Sequence, residues 1–530
     1  MLDTPKKEQV PQPLNLGNIS QKSLFLALYA KYMSGEKRKD EESEMILGPS
    51  DGGGTVNKEL NGVASVLEQW FSEEREGQGW LEYLYGVVLA KGKNEDDAKN
   101  WLLKGVHLFP YNWGAWQELG NLIGTIEEAS ILLSKLPINL ANSSTQLNAL
   151  TPHLPQNIMS FVFHIHISQE LFQTNEAVHS QLTSIQSIFP GSAFLKTQRA
   201  LLYYHNKDFD DADQIFSEIL TSDPHRLDSL DAYSNVLYVM AQRPKLAFLA
   251  HLATQTSKFR PETCCIVGNY YSLQSSHEKA VMYFRRALTL DRSFLSAWTL
   301  MGHEYVEMKN THAAIESYRR AVDVNRKDYR AWYGLGQTYE VLEMHSYALY
   351  YYQRAASLRP YDGKMWQAVG ACFARVGKVQ NGIRALKRAL VVSSSTDLGS
   401  SFGSEGNQSG ILDPETLYQI ATLYERLGDL DECAAYMSLT LAQEDGPDDD
   451  DLGPLSNKES AGVGVTPTTS RARMWLAKWE FSNGNWQRSM ELANELCQDG
   501  VGVEDAKALV RDIRARIEAE REDGNRSSDL

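Results

Sequence analysis

The segment Arg330-Ala-Trp-Tyr-Gly-Leu-Gly-Gln-Thr-Tyr339 has a counterpart 34 residues earlier, Ser296-Ala-Trp-Thr-Leu-Met-Gly-His-Glu-Tyr305, and another 34 residues later, Lys364-Met-Trp-Gln-Ala-Val-Gly-Ala-Cys-Phe373. Each carries a tryptophan (Trp298, Trp332, Trp366), a glycine four residues on (Gly302, Gly336, Gly370) and an aromatic at the seventh (Tyr305, Tyr339, Phe373). With the aliphatic residue at the third place these form one stripe of a helix, and the glycine lets a second helix approach closely. That second helix is written in Ala348, Tyr352, Ala355 and Pro360, which follow the Trp332 segment. A helix pair of this kind leaves apolar surface uncovered until the next pair stacks on it, so an elongated stack is expected rather than a sphere.

Period and pattern are those of the tetratricopeptide repeat (TPR), a helix–turn–helix unit. The fold class expected is all-α, a TPR superhelical solenoid. Stepping back 34 residues from Trp298 gives Cys264, with Val267, Gly268, Tyr271, Ala280, Phe284 and Ala287 in register. A weaker unit holds Ala200, Tyr203, Ala212, Phe216 and Pro224, and Tyr233, Leu237, Leu246 and Ala250 fit a degenerate one. Tyr85, Gly86, Leu89, Ala98, Leu102 and Pro110 mark another near the start, followed by Trp116, Leu119, Gly120 and Ile123. Leu417, Tyr424, Gly428 and Met437, then Ala477, Gly484, Ala493 and Leu496, mark two more near the end. The division expected is an N-terminal helix with a charged and Gly-rich loop (1–60), an N-terminal TPR array (61–225), a C-terminal array (226–440), an acidic low-complexity linker (441–470), and terminal TPR-like helices with a tail (471–530). Residues 36–60, 393–411 and 443–470 read as solvated loops, being charged, Ser/Gly-rich or acidic.

Composition excludes several functions. A net charge of −16 opposes a nucleic-acid surface, which needs clustered Lys and Arg, and weakly favours basic partners. No run of about 18 apolar residues could span a membrane, and the first residues lack a signal-peptide layout, so no membrane role and an intracellular location are expected. The five cysteines (Cys264, Cys265, Cys372, Cys433, Cys497) lie mostly in helical repeats without CxxC spacing and read as reduced, packed thiols.

Several segments imitate chemistry without supporting it. Gly399-Ser400-Ser401-Phe402-Gly403 has the letters of a nucleophile elbow but no strand before it. His164 and His166 are two apart and face different ways on a helix. Asp448 to Asp451 lack the ligand order of a calcium loop, and the sequons at Asn18, Asn142 and Asn407 mean nothing without a secretory route. Thr466-Pro467 has the two letters of a proline-directed phosphorylation site, a pattern common by chance. No catalytic residue, metal ligand or cofactor site is expected, so an enzyme is disfavoured.

What remains is the concave face. The residues after each motif glycine, Asn269, His303, Gln337 and Ala371, lie near the groove side of the first helices, and Glu304, Glu307, Glu340 and Glu343 follow within a turn. Such an acidic, amide-rich wall suits an Arg-bearing peptide, because a bidentate Arg–carboxylate bond is directional. A basic clamp for a C-terminal carboxylate does not fit, since Cys265, Thr299 and Tyr333 occupy its places and only Asn269 agrees. If Trp332 is a core residue, truncating it to Ala costs about 3–5 kcal/mol.

The sequence also resembles one family beyond the generic repeat. Arg260-Pro-Glu-Thr-Cys-Cys-Ile-Val-Gly-Asn-Tyr-Tyr271, Ala297-Trp-Thr-Leu-Met-Gly-His-Glu-Tyr305 and Tyr329-Arg-Ala-Trp-Tyr-Gly-Leu-Gly-Gln337 are similar to subunit 8 of the anaphase-promoting complex (cyclosome). Ser34-Gly-Glu-Lys, Tyr83-Leu-Tyr-Gly86, Trp113-Gly-Ala-Trp116 and Tyr233-Ser-Asn-Val-Leu-Tyr238 extend the likeness over roughly residues 20–440. The resemblance implies a non-catalytic scaffold of a ubiquitin ligase that drives mitotic progression by marking cyclins and securin for degradation, in nucleus and cytoplasm. It implies a homodimer through the N-terminal repeats. It also implies contacts with other TPR subunits and a small extended subunit, and a groove that receives the arginine of an activator's C-box at Asn269 and Glu304. The family usually carries a further repeat before the segment that here begins near Ser20, so a shortened N-terminus is expected, and 443–470 reads as a lineage-specific insertion. The alternative is a TPR adaptor of another complex that binds an unrelated basic peptide.

Overall fold

The computed structural model describes residues 20–43, 57–73, 76–135, 158–172, 176–399, 412–445, 464–499 and 503–528, and among them every regular element is a helix. They fall into two compact units, Met1–Gln274 with Arg285–Arg292 and Ser275–Phe284 with Ser293–Leu530. Each is a row of antiparallel helix pairs, as the 34-residue pattern requires. In the second unit the pairs are Leu295–Glu307 with Thr311–Val324, Tyr329–Val341 with His345–Leu358, and Gly363–Val376 with Val379–Gly399. Among the described residues Leu295–Glu307 touches Tyr329–Val341 and Gly363–Val376 touches Pro414–Leu427, whereas successive second helices make no comparable contact. The first helices therefore form the inner wall and the second helices the outer.

Two of these three inner helices start on an aspartate cap. The side chain of Asp328 accepts from the Arg330 amide (3.0 Å) and that of Asp362 from the Lys364 amide (3.1 Å), each satisfying one orphan N–H of the first turn. The turn from first to second helix is set by one left-handed residue per repeat. Lys207, Ala241, Ser275, Lys309, Glu343 and Gly377, spaced 34 apart, have φ of 72°, 54°, 59°, 58°, 59° and 85°. The degenerate unit around Tyr233 thus turns at the same register as its stronger neighbours.

Close approach at the motif glycine is the packing rule. A Cβ on Gly302 would lie 2.5 Å from the Tyr318 ring, and one on Gly334 would lie 2.6 Å from the same ring. Tyr318, fully buried, is thus gripped between the first helix of its own pair and that of the next. Gly336 bears on Tyr352 and Gly370 on Leu386 in the same manner. The tryptophans do something the periodicity did not show. The indole N–H of Trp116 donates to the carbonyl of Pro110 (2.7 Å), that of Trp332 to Arg326 (3.0 Å) and that of Trp366 to Pro360 (2.9 Å). In each case the acceptor lies six residues upstream, in the loop that enters the helix. Trp116 is fully buried, but Trp332 and Trp366 are only half-buried. The core cost expected for Trp332→Ala is accordingly too large, and about 2–3 kcal/mol fits a half-buried ring with one hydrogen bond.

All three segments read as loop are helical in part where they are described, the acidic linker at its two ends, because Leu430–Asp445 and Pro467–Ser482 extend into it. Gln21–Ser43 runs through the charged residues 36–43. Their opposite charges sit at helical spacing, Lys39 with Glu36 (3.1 Å) and Lys37 with Glu41 (3.8 Å), and Glu36 also accepts from buried Asn57 (2.9 Å). Val379–Gly399 continues through the serines, because Leu390 and Val392 are still buried and the Ser393 and Ser394 hydroxyls donate back to helix carbonyls. Residues 51–55, the elbow-like motif beyond Gly399, Asp448 to Asp451 and the three sequons lie outside the described residues. Thr466 is the N-cap of the Pro467–Ser482 helix, its hydroxyl accepting from the Thr469 amide (3.3 Å). Cys264, Cys265, Cys372 and Cys433 are buried and unbridged, and burial pushes the Cys372 thiol up to about 12.

The left-handed turn gives a pair of opposite expectations. A methyl added at Gly377 meets no atom within 4 Å, so Gly377→Ala should cost about 1 kcal/mol through backbone strain alone. Lys309→Gly should gain about 0.5 kcal/mol, strain relieved less the extra freedom of the unfolded chain. Urea midpoints that move in the same direction for both would contradict this.

Candidate functional site

The inner wall of the second unit carries His303, Glu304, Gln337 and Glu340, and the structure gives each a different environment. Glu304 is buried in the middle of its helix, and its Oε2 lies 2.8 Å from Nδ1 of His277. The carboxylate is thereby held in one place, away from bulk water.

His303, the next residue, is open to solvent on one side yet enclosed by protein on the others, as befits the wall of a concavity. Its Nδ1 lies 2.7 Å from the Tyr318 hydroxyl. This desolvation, with Arg330 nearby, lowers the imidazole from 6.5 to about 4. Burial and the neighbouring Glu304 and Glu307 push the Tyr318 phenol the other way, up. The pair is therefore neutral at physiological pH and presents a polar but uncharged surface beside Glu304.

Gln337 is exposed, and so are Glu307 and Glu343. Glu340 is more committed. Its Oε1 accepts from Arg375 of the next inner helix (2.7 Å), and its Oε2 accepts from the Tyr352 hydroxyl (2.7 Å). Both oxygens already serve to join three helices.

Asn269 belongs to the first unit and is described there. It is buried, and its Nδ2 donates to the Ser234 hydroxyl (2.8 Å) and to Oδ1 of Asn235 (2.8 Å). It thus ties the Pro261–Leu273 helix to the Leu230–Val239 helix.

Sequence reading found the acids of the wall but not their partners. His277, Arg375 and Tyr352 are 27, 35 and 12 residues from the groups they hold. The offset of 35, one repeat plus one residue with opposite charge, was the available signal. For chemistry the wall offers little. His164 bonds to Gln181 (3.0 Å) and His166 to Glu170 (3.2 Å), and no group of three His, Cys, Asp or Glu that could hold a metal occurs among the described residues. No described helix is long and apolar enough to cross a membrane. What the wall presents is a set of polar groups held in fixed positions by hydrogen bonds.

The family described as "Anaphase promoting complex subunit 8 / Cdc23" matches residues 5–200, and tetratricopeptide-repeat families match 261–294, 299–363 and 414–439. The chain is 39% identical over 537 residues to the anaphase-promoting complex subunit CDC23 of Saccharomyces cerevisiae, an alignment covering 93% of this chain and 81% of that one. The chain belongs to the anaphase-promoting complex subunit 8/Cdc23 family. Subunit 8 of Arabidopsis thaliana is 42% identical over 294 residues, 55% of this Cdc23-family chain and 47% of the plant protein. Among solved structures, the Cut9-Hcn1 hetero-tetramer of the anaphase-promoting complex matches with a TM-score of 0.53 at 18% identity, covering 93% of this chain and 83% of that one. That likeness establishes the shared TPR architecture.

In this Cdc23-family chain the neutral His303 carries a pH signature. An imidazole lowered to about 4 in the fold but titrating near 6.5 when unfolded binds its proton first in the unfolded state. Its contribution to stability is present above about pH 6.5 and is lost as the pH falls toward 4. The urea midpoint of the wild type should therefore drop across that interval more than that of His303→Gln. Parallel curves would place His303 outside the stability of the wall.

Proposed function

We propose that the chain is a non-catalytic scaffold subunit of the anaphase-promoting complex, a ubiquitin ligase, and that it serves mitotic progression by binding rather than by chemistry. In this reading the N-terminal array (61–225) supports a homodimer, and the C-terminal array (226–440) receives the Arg-bearing C-box peptide of an activator, beside other TPR subunits and a small extended subunit. Holding activator and substrate near a catalytic module raises their effective concentration there. The nucleus and cytoplasm are the compartments this role requires.

The observation that carries the reading is Glu304. A buried carboxylate on an inner wall, fixed by a histidine and flanked by a neutral His303–Tyr318 pair, is a preformed acceptor for one guanidinium. Gln337 supplies an exposed amide one repeat further along. Asn269, in the other unit, is a separate candidate contact that comes from the family resemblance.

The test is titration of a synthetic C-box peptide into the full chain. Glu304→Gln should weaken binding about 10- to 100-fold, which corresponds to one charge-assisted hydrogen bond of about 1.5–3 kcal/mol. Glu304→Arg should abolish it at unchanged helicity. Glu340→Gln should change affinity less than about threefold while lowering thermal stability, because that carboxylate is occupied by Arg375 and Tyr352. Asn269→Ala tests the second contact by itself. If the Glu304 variants bind as the wild type does, the acceptor lies elsewhere; if an unrelated basic peptide binds more tightly than the C-box, the chain is an adaptor for a different ligand.

A further inference from the structure

The outer helices carry a feature that the groove reading leaves unused. The places 21 and 22 residues after each tryptophan hold Arg319 and Arg320, Gln353 and Arg354, and Lys387 and Arg388. Two members of the first column have hydroxyl partners on the next helix: Arg319 donates to the Tyr339 hydroxyl (2.7 Å), and Lys387 donates to the Tyr424 hydroxyl (2.8 Å) while lying over the Tyr424 and Tyr436 rings. In the second column Arg388 lies over the Trp366 ring (4.0 Å) and Arg354 over the Tyr350 ring (5.8 Å), but none has an anionic partner among the described residues. Arg320, Arg354 and Arg388 form no ion pair with any described residue, and Arg354 and Arg388 are exposed. On a chain of net charge −16 this is a cationic face without internal compensation.

In the middle of that face, between the end of Thr311–Val324, the start of Tyr329–Val341 and His345–Leu358, lies a cavity of about 460 Å³. Two arginines line it, Arg326 and Arg354, with the Trp332 indole, the Tyr350 ring and Leu358 as its apolar wall and Asp323 as its one carboxylate. Arg326 also makes no ion pair among the described residues, and its carbonyl is the acceptor for the Trp332 indole, so loop and ring are fixed together. Half-exposed Tyr350 lies under the Arg354 guanidinium, 5.8 Å from ring centre to charge. Aromatic walls with two uncompensated guanidiniums suit a ligand that joins an anion to an apolar side chain.

We propose that this cavity docks an acidic peptide segment of a partner protein, with its carboxylates on Arg326 and Arg354 and an adjacent apolar side chain on Trp332 and Tyr350. Nucleic acid is the wrong polyanion for it, because the rest of the chain repels a phosphate backbone and Asp323 sits at the site. Arg388 extends the site by one repeat. Two interhelix steps of about 8–10 Å separate equivalent residues, and an extended chain covers about 3.3 Å per residue, so a second acid is expected roughly five or six residues further along the peptide.

The probe is a capped, fluorescein-labelled peptide carrying Glu-Phe-Glu and a further Glu five residues on, followed by anisotropy with the full chain at low and at physiological salt. The expected result is saturable binding that weakens with salt and falls at least tenfold in the Arg326→Glu, Arg354→Glu double variant. It should also fall when the probe carries Gln-Phe-Gln or Glu-Gly-Glu, and should be unaltered in Glu304→Gln. Arg354→Gln, a milder surface change, gives the same reading if the double variant loses helicity. Equal binding by wild type and both variants, no binding by the wild type, or stronger binding of a single-stranded oligonucleotide would each overturn the proposal.

Discussion

Each unit depends on how near two helices can lie when no side chain separates them. Around Tyr318 the absence of a Cβ at both Gly302 and Gly334 lets one ring serve two helix contacts at once, with no room for a methyl at either. The stack is thereby held by neighbours alone, in the manner of a one-dimensional array. The same contact also decides what the inner wall looks like. A tyrosine pressed through the layer delivers its hydroxyl to the far side, where Tyr318 meets His303 and Tyr352 meets Glu340. Core packing and groove chemistry are in this sense one set of interactions.

How far the sequence foretold this varies with the kind of force. The glycine and large-residue positions were legible because steric exclusion acts at fixed offsets inside a repeat, and every unit must satisfy it again. Roles that depend on a partner in another repeat were not. Nothing in the period says that Trp332 leaves part of its side chain exposed and binds the carbonyl of Arg326, because that bond is set by the path of the entering loop. Nor does it say that Glu340 is neutralised by Arg375, which lies one repeat and one residue away. Composition misled at 36–43 and 393–399 for a simpler reason. Charged and Ser-rich residues are poor at making a core, but they continue a helix readily when its preceding turns are already anchored, as Tyr32 and Leu390 anchor these two.

The charged groups of the second unit sort by whether the fold has already compensated them. Arg319, Lys387, Glu340 and Arg375 have partners among neighbouring helices and belong to the joints between repeats. The outer column of Arg320, Arg354 and Arg388 forms no ion pair among the described residues, although Arg388 lies over the Trp366 ring at 4.0 Å, and a ligand that pairs with such a side chain must offset about 0.5–1.5 kcal/mol of lost rotamer freedom. Compensation, more than the identity of the residue, separates structure from recognition here.

Glu304 stands between these classes, and its partner differs in kind from that of Glu340, which bears on the proposal that Glu304 and not Glu340 receives a guanidinium. An arginine such as Arg375 is charged under all conditions, so the pair it makes with Glu340 is already electrically complete, and an incoming arginine would have to break it and leave a cation stranded. His277 instead orients the Glu304 carboxylate through one ring nitrogen, its Nδ1 2.8 Å from Oε2, without bringing a guanidinium of its own. A site of this construction favours a ligand that brings a permanent positive charge in a planar, hydrogen-bonding group, which is the description of an arginine side chain.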